Sequence, residues 1–338
     1  MLQKEFDKFD KLIKIESETQ ELIAKRDMLK KDFKSKFPDL CKQKGIELNS
    51  NEIRFIMQGS FKLGTTIKSV DGDVDLDQAV IFPLDINEFE DSRVIKKLGK
   101  NALEISGRRI PKIKEPCVTV DYIRNGEDWL HVDFPMYADS NGLKYLARGK
   151  ENSSTYSWEL ADPDGLNEYI LNRLSSSENG QLRRIVRFIK KWKQESYTKT
   201  DTTEKKPPNI GLTLFVVDLC VESNSDLVSL KNLFQSILNQ FTIQKDIDGN
   251  VIKASIRKQL PVLPYSNVFV KFDNSENHGI VFYNKLNNAL TNLQNACDCD
   301  NEHDAAYYVS KVLGNDFEIP EKDVEKYETK VQREHSFG

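Results

Sequence analysis

This chain is short of positive charge, histidine, paired cysteines and long apolar runs. Its 49 Lys and Arg against 53 Asp and Glu leave a net charge of −4. A chain that grips long duplex nucleic acid by its phosphates is usually basic, so such a partner is not expected, and any polyanion it takes is small or local. No stretch approaches the roughly 18 consecutive apolar residues of a bilayer span. The first residues, MLQKEFDKFDKLIK, are charged at once and show no signal-peptide core, so no membrane partner is expected. Five cysteines make an odd count without framework spacing, which suits reduced thiols in a cytoplasmic protein. The four histidines, at 131, 278, 303 and 335, lack zinc-finger spacing to any cysteine, and the Cys297-x-Cys299 pair lies in an acidic context. A zinc site is therefore not expected.

What is present is enough for two lobes with their own cores: 338 residues, 38% apolar and 30% charged. Residues 2–43 carry Phe6, Phe9, Ile13, Leu22, Leu29, Phe33 and Phe37 at largely helical spacing, which predicts one long or broken amphipathic helix. A short apolar piece at 53–57 leads into QGSFKLGTTI. A strand at 78–82 is closed by Pro83, and a helix follows over 93–106. GRRIPKIKEP (107–116) is a basic connection. CVTVDYI (117–123) and WLHVDFPMYA (129–138) read as strands joined by a hairpin at Asn125-Gly126. Further on, 181–195 is a strongly amphipathic helix, with Leu182, Ile185, Ile189 and Trp192 on one face. Residues 197–209 are a polar, Pro-rich loop. The apolar run 210–223 predicts a buried helix, with a strand as the alternative. Helices are expected at 226–242 and 280–297, loops at 244–250 and 260–266, and a charged tail from Asp316. The layout is a mixed α/β first half, residues 1–165, and a mostly helical second half, residues 166–338.

DGDVDLDQAVIF, residues 71–82, puts four aspartates into seven positions and then enters an apolar strand. Like charges this close repel unless a cation separates them. Alternation along a strand puts Asp73, Asp75 and Asp77 on one face and Val74 and Leu76 on the other. In the later strand His131 and Asp133 oppose Val132 and Phe134. If the two strands are neighbours, Asp133 joins the earlier aspartates in an oxygen-rich site suited to Mg²⁺. Gly59-Ser60 reads as a strand-to-helix turn able to hold phosphate through backbone amides and a hydroxyl, and Gly64 and Thr65 extend it. Each piece alone is a common turn or loop; the ordered combination is the signal.

QGSFKLGTTI, DGDVDLDQAVIFP and HVDFPMYA together resemble the bacterial cGAS/DncV-like nucleotidyltransferases (CD-NTases) of the polymerase β-like superfamily. WELADP (158–163) and LRRIVRFIKKWK (182–193) resemble them too. The resemblance covers residues 57–220 in patches. It implies an α+β, bilobed fold: a nucleotidyltransferase core with a mixed sheet, a helical C-terminal lobe, and a long N-terminal helix bracing both. Composition leaves the choice between Asp73/Asp75 and Asp75/Asp77 open; the family register selects Asp75 and Asp77, with Asp133, as ligands of two Mg²⁺ ions, for which Mn²⁺ can substitute. Gly59 and Ser60 map to the triphosphate-binding turn, and Lys190 and Asn209 to positions that contact the nucleotide. A Lys/Arg-rich helix face is otherwise simply solvated. Leu63 departs from relatives that carry a base-stacking aromatic there.

The activity so implied joins NTPs, ATP and GTP among them, into a cyclic di- or trinucleotide messenger. In the family this messenger switches on an effector in antiphage defence (CBASS). Some members are conjugated through their last residue by an E1/E2-like enzyme, which makes Gly338 a candidate. Two other classes are weighed against this: a template-free enzyme modifying an RNA end or a protein, and an inactive nucleotide-binding scaffold.

Overall fold

The computed structural model describes residues 1–15, 19–68, 74–197, 204–273 and 278–322. Asp73 and Gly338 lie outside the described residues. The first elements are α1 (Gln3–Ile13), α2 (Thr19–Lys42), β1 (Arg54–Gln58), α3 (Gly59–Leu63), β2 (Val74–Pro83), α4 (Ser92–Leu103) and β3 (Lys112–Ile113). There follow β4 (Val118–Arg124), β5 (Glu127–Phe134), β6 (Met136–Ser140), β7 (Leu143–Arg148), β8 (Ser157–Ala161), α5 (Pro163–Ser175) and α6 (Gln181–Ser196). The remainder comprises α7 (Asn209–Leu219), α8 (Asp226–Leu238), β9 (Thr242–Lys245), β10 (Val251–Ser255), α9 (Val270–Asp273), α10 (His278–Asp298) and α11 (Glu302–Leu313). The expected α+β class is the observed one.

The chain divides into two compact units. A sheet unit takes Ile13–Arg183 and Lys258–Val268; a helical unit takes the described parts of Met1–Leu12, Arg184–Arg257 and Phe269–Gly338. The expected N-terminal helix is thus two helices, α1 and α2, which belong mostly to different units.

In the sheet unit the strands run in the order β3-β4-β5-β2-β6-β7-β8, with β1 antiparallel on β2. β2 is parallel to β5 (Val74 opposite Leu130) and then to β6 (Val80 opposite Met136) in unchanged register. β5 and β6 are therefore one line of chain along β2, interrupted at Pro135, which has no N–H to give. The Pro135 carbonyl still accepts from the Val80 amide at 2.9 Å. β4 and β5 form the expected hairpin, with Arg124 opposite Glu127 and positive φ at Asn125 and Gly126, the pair a tight twisted turn needs.

Alternation sorts β2 and β5 cleanly. Val74, Leu76, Val80, Phe82, Leu130, Val132 and Phe134 are buried, and they pack with Leu29, Phe33 and Phe37 of α2 and Ile95 and Leu98 of α4. The opposite face of β2 carries Asp75 and Asp77 at its start and buried Ala79 and Ile81 further along, the latter two packed with Tyr137. The carboxylates thus sit where the second face has no apolar cover.

In the helical unit Trp192 of α6 packs edge-on against Phe234 of α8, with ring centroids 5.1 Å apart, and Phe6 and Phe9 of α1 pack on Phe188 of α6 and on Phe317. The run at 210–223 resolves as a helix, α7. The loop expected at 244–250 is found at residues 246–250, as the turn of the antiparallel β9–β10 hairpin, with Gln244 and Lys245 in β9; these short strands alternate too weakly to be read from sequence. The sequence pattern does not predict α5 or α11 either. α5 begins at the end of WELADP, where Asp162 caps it by accepting from the Gly165 amide at 2.9 Å and Pro163 opens its first turn.

Candidate active site

The sheet register brings three of the sequence-selected carboxylates onto one face. Asp77 lies directly opposite Asp133 across the parallel β2–β5 pair, and Asp75 opposite His131. On the far side of β5, Thr119 is opposite Asp133 and Asp121 opposite His131. The face therefore carries two polar rows, Asp77–Asp133–Thr119 and Asp75–His131–Asp121. Asp75 is exposed, and Asp77, His131, Asp133 and Asp121 are half-buried.

Cations from the basic connection reach the outer end of both rows. Lys112 Nζ is 2.6 Å from Asp121 Oδ2, and Lys114 Nζ is 3.6 Å from Asp133 Oδ1. Thr119 Oγ1 donates to Asp133 Oδ1 at 2.5 Å, and His131 Nδ1 is 2.7 Å from Asp121 Oδ1. Burial opposes the charge on Asp121, but Lys112 and His131 outweigh it and hold this carboxyl below its usual range. Burial likewise opposes charging His131; the bonded Asp121 and the charge of Asp75 prevail and raise it. Burial, with the charge of Asp133 added, pushes the Cys117 thiol up to about 12, so it is no nucleophile at neutral pH.

The turn at Gly59-Ser60 lies at the same end of the sheet. Gln58, the last residue of β1, is opposite Asp77. Gly59 has φ +66, and a Cβ added there would fall 1.9 Å from Asp77 Oδ2. Only glycine lets this backbone pass under that carboxylate. The Ser60 hydroxyl accepts from Thr66 Oγ1 at 3.1 Å, and the buried Thr65 returns its amide to the Ser60 carbonyl at 2.9 Å. Two residues not singled out from sequence pin this turn: Asn167 of α5 donates to the Met57 carbonyl at 3.1 Å, and Arg183 donates to the carbonyls of Leu63 (3.2 Å) and Leu174 (3.0 Å). Leu63 itself is buried. Thr119, Lys114 and Asn167 act on sequence-distant partners, which no local pattern reveals.

Lys190 and Asn209 belong to the helical unit, whereas the five other selected residues are all in the sheet unit. Lys190 is 6% exposed, between Arg187 at 4% and Lys191 at 8%, so the basic face of α6 is not a solvated one. Arg187 holds Asp10 through two bonds of 2.6 and 2.8 Å, and Lys191 pairs with Glu195 and Asp316. Asn209 opens α7, and its Oδ1 accepts from Lys193 Nζ at 2.7 Å. Burial, with Lys206 nearby, lowers Lys193 to about 8.

Asp75, Asp77 and Asp133 supply hard carboxylate oxygens on one face, the donor chemistry of Mg²⁺ and Mn²⁺ rather than of zinc. Among the described residues no three His, Cys, Asp or Glu side chains already form a metal-holding group. Carboxylates this close repel one another, and a cation between them relieves the repulsion, so the donors fit such an ion in type and in face.

The family description "Cyclic GMP-AMP synthase DncV-like, nucleotidyltransferase domain" matches residues 53–137, a span holding Gly59, Ser60, Asp75, Asp77 and Asp133. A curated cyclic GMP-AMP synthase of Escherichia albertii is 26% identical over 210 residues, which is 59% of this chain and 44% of that protein. The match thus spans less than half the length of that relative. Among solved structures, Vibrio cholerae DncV in its GTP-bound form superposes with a TM-score of 0.67 at 17% identity, covering 90% of this chain and 92% of that one. The same enzyme in complex with the linear intermediate 5′ pppA(3′,5′)pG gives 0.65 at 17% identity, covering 90% and 92%. Escherichia coli DncV bound to 3′-deoxy GTP gives 0.64 at 16% identity, covering 90% and 93%. At these identities the likeness establishes a shared fold.

Proposed function

We propose that this chain, whose residues 53–137 match the DncV-like nucleotidyltransferase domain description, condenses ribonucleoside triphosphates into a cyclic oligonucleotide. The observation that carries the reading is the pairing of Asp77 with Asp133, with Asp75 on the same face and Gly59 fitted beneath Asp77. The names of the similar proteins support a dinucleotide built from ATP and GTP.

In this reading Asp75, Asp77 and Asp133 hold Mg²⁺, with Mn²⁺ as substitute. When bound, the metal makes the acceptor hydroxyl more acidic and neutralises charge on the phosphates. The backbone amides of the Gly59-Ser60 turn and the Ser60 hydroxyl take the triphosphate of the donor. Asp133 orients the ribose hydroxyl of the acceptor and accepts its proton. The hydroxyl oxygen bonds to the donor α-phosphorus as the bond from that phosphorus to the bridging oxygen breaks, and pyrophosphate leaves. A second transfer within the linear product closes the ring. The chain contributes mainly alignment and fixed charge. Lys190 and Asn209 are retained as proposed nucleotide contacts. The antiphage setting, an effector switched on by the product, and conjugation at Gly338 belong to the same proposal.

Incubation with the four NTPs and Mg²⁺ or Mn²⁺, phosphatase treatment and mass spectrometry test it. A phosphatase-resistant cyclic species is expected from the native protein and none from Asp77→Asn, with unchanged thermal unfolding. Product surviving in Asp77→Asn and in Asp133→Ala would overturn the assignment, and label on an RNA or protein acceptor would replace it.

A further inference from the structure

The two oxygens of Asp133 are treated differently by the fold. Thr119 is fully buried on β4, opposite Asp133, and donates to Oδ1 at 2.5 Å. Lys114 approaches the same Oδ1 at 3.6 Å from the basic connection. The Thr119 hydrogen bond falls on Oδ1, which is also the oxygen nearest Lys114, and the weakly donating Cys117 thiol lies beside the carboxylate. Resting on the reading above, we propose that Thr119, seconded by Lys114, is a positioning residue that reserves Oδ1 of Asp133 for the protein and Oδ2 for the acceptor hydroxyl and its cation.

The physical reason lies in the torsions. An aspartate carboxylate turns easily about its last bond, because that torsion has a broad minimum. Left free, it could meet a cation with either oxygen, or both, and the acceptor hydroxyl would have no fixed partner. A β-branched threonine is stiff at χ1, so a strand threonine can aim its hydroxyl along one direction. The direct cross-strand pairing sets that direction onto Asp133. The residue that carries the bond is therefore placed by register, and the ligand it orients is the one that also touches the reacting hydroxyl. Groups that hold a ligand in this way typically change metal affinity or activity by about 10- to 100-fold when removed.

Thr119→Val keeps the shape and removes the donor; Thr119→Ser keeps the donor. Mn²⁺ binding, followed by calorimetry with a non-hydrolysable NTP present, is measured beside kcat, KM and thermal unfolding for both, with Asp77→Asn as control. The expected result is a Thr119→Val protein that folds, binds Mn²⁺ about 10-fold more weakly and loses kcat by about 10- to 100-fold. KM for NTP should be nearly unchanged, and Thr119→Ser should recover most of both losses. Native Mn²⁺ affinity and kcat in folded Thr119→Val would overturn the proposal, as would a Thr119→Ser protein as impaired as Thr119→Val. Should Thr119→Val fail to fold, Thr119→Ala decides: weakened Mn²⁺ binding supports the proposal, and native binding overturns it. The underlying reading fails separately, if the native protein transfers no nucleotide or Asp77→Asn transfers it as well as the native protein does.

Discussion

Gly59 and Gly126 both sit at positive φ, +66 and +85, yet they differ in what surrounds them. A Cβ at Gly126 would meet nothing within 4 Å, while one at Gly59 would strike the Asp77 carboxylate. Both alanine variants carry backbone strain of about 1–3 kcal/mol, read as a lowered urea midpoint. Only Gly59→Ala must also displace a carboxylate. Displacements near 1 Å at a reacting centre cost on the order of 100-fold in rate. Pyrophosphate release should therefore fall by about that factor in Gly59→Ala and remain native in Gly126→Ala.

At the scale of elements, buried charge fixes helices in place. Lys96 of α4 is fully buried, and its ammonium donates to the carbonyls of Lys114 (2.5 Å), Glu115 (2.8 Å) and Gly149 (2.6 Å). It thereby ties α4 to the connection that carries Lys114. Burial lowers Lys96 to about 8, against Cys117 and Glu115, which raise it, and with Arg148, which lowers it further. The folded state therefore releases this proton before the unfolded chain does. Below about pH 8 both states hold the proton and burial opposes folding in full. From there to the unfolded value near 10.5 the unfolded state binds more protons, so stability rises with pH. Urea unfolding across that range should show this rise in the native protein and its loss in Lys96→Met. At neutral pH the same substitution leaves three carbonyls without their donor and should still destabilise, by about 1–3 kcal/mol. In the helical unit the Arg187–Asp10 pair binds α1 to α6 with 5% and 12% of the two side chains exposed. Removing one partner of such a pair costs about 3–5 kcal/mol, because the other is left charged and buried. Asp10→Ala should sharply reduce amide-exchange protection in α1 and α6.

For the whole molecule, each compact unit is discontinuous in sequence. The helical unit needs Met1–Leu12, whose Phe6, Phe9 and Asp10 pack against α6 and Phe317, and the sheet unit extends to Arg183. The composition shift places a boundary at 165/166, before α5, whose Asn167 pins the β1–α3 turn. The sheet unit, residues 13–183 linked to 258–268, holds all eight strands of the large sheet and should unfold cooperatively as a fragment. Residues 166–338, lacking α1, should not; thermal melts by circular dichroism compare the two.

Alternation and helical spacing are local, and they make much of the first half, and α6 beyond it, readable. The burial of Val74, Leu76, Val132 and Phe134, the Asn125-Gly126 hairpin, the strand-to-helix turn at Gly59 and the amphipathic α6 all follow from residues a few positions apart. The short β9–β10 hairpin and α5 are not legible in the sequence, because few residues carry their pattern and tertiary packing selects them. The facing of Asp77 and Asp133 was legible only as a condition on two strands being neighbours; the sheet supplied the neighbourhood. The burial of the α6 cations, the Lys96 clamp and the bond from Thr119 to Asp133 were not legible at all. By itself the sequence determined which residues alternate, turn and carry charge, since those properties depend on adjacent side chains. Only the tertiary structure decided which charges are buried with which partners, and which oxygen of Asp133 is held, since those depend on register between segments far apart in the chain.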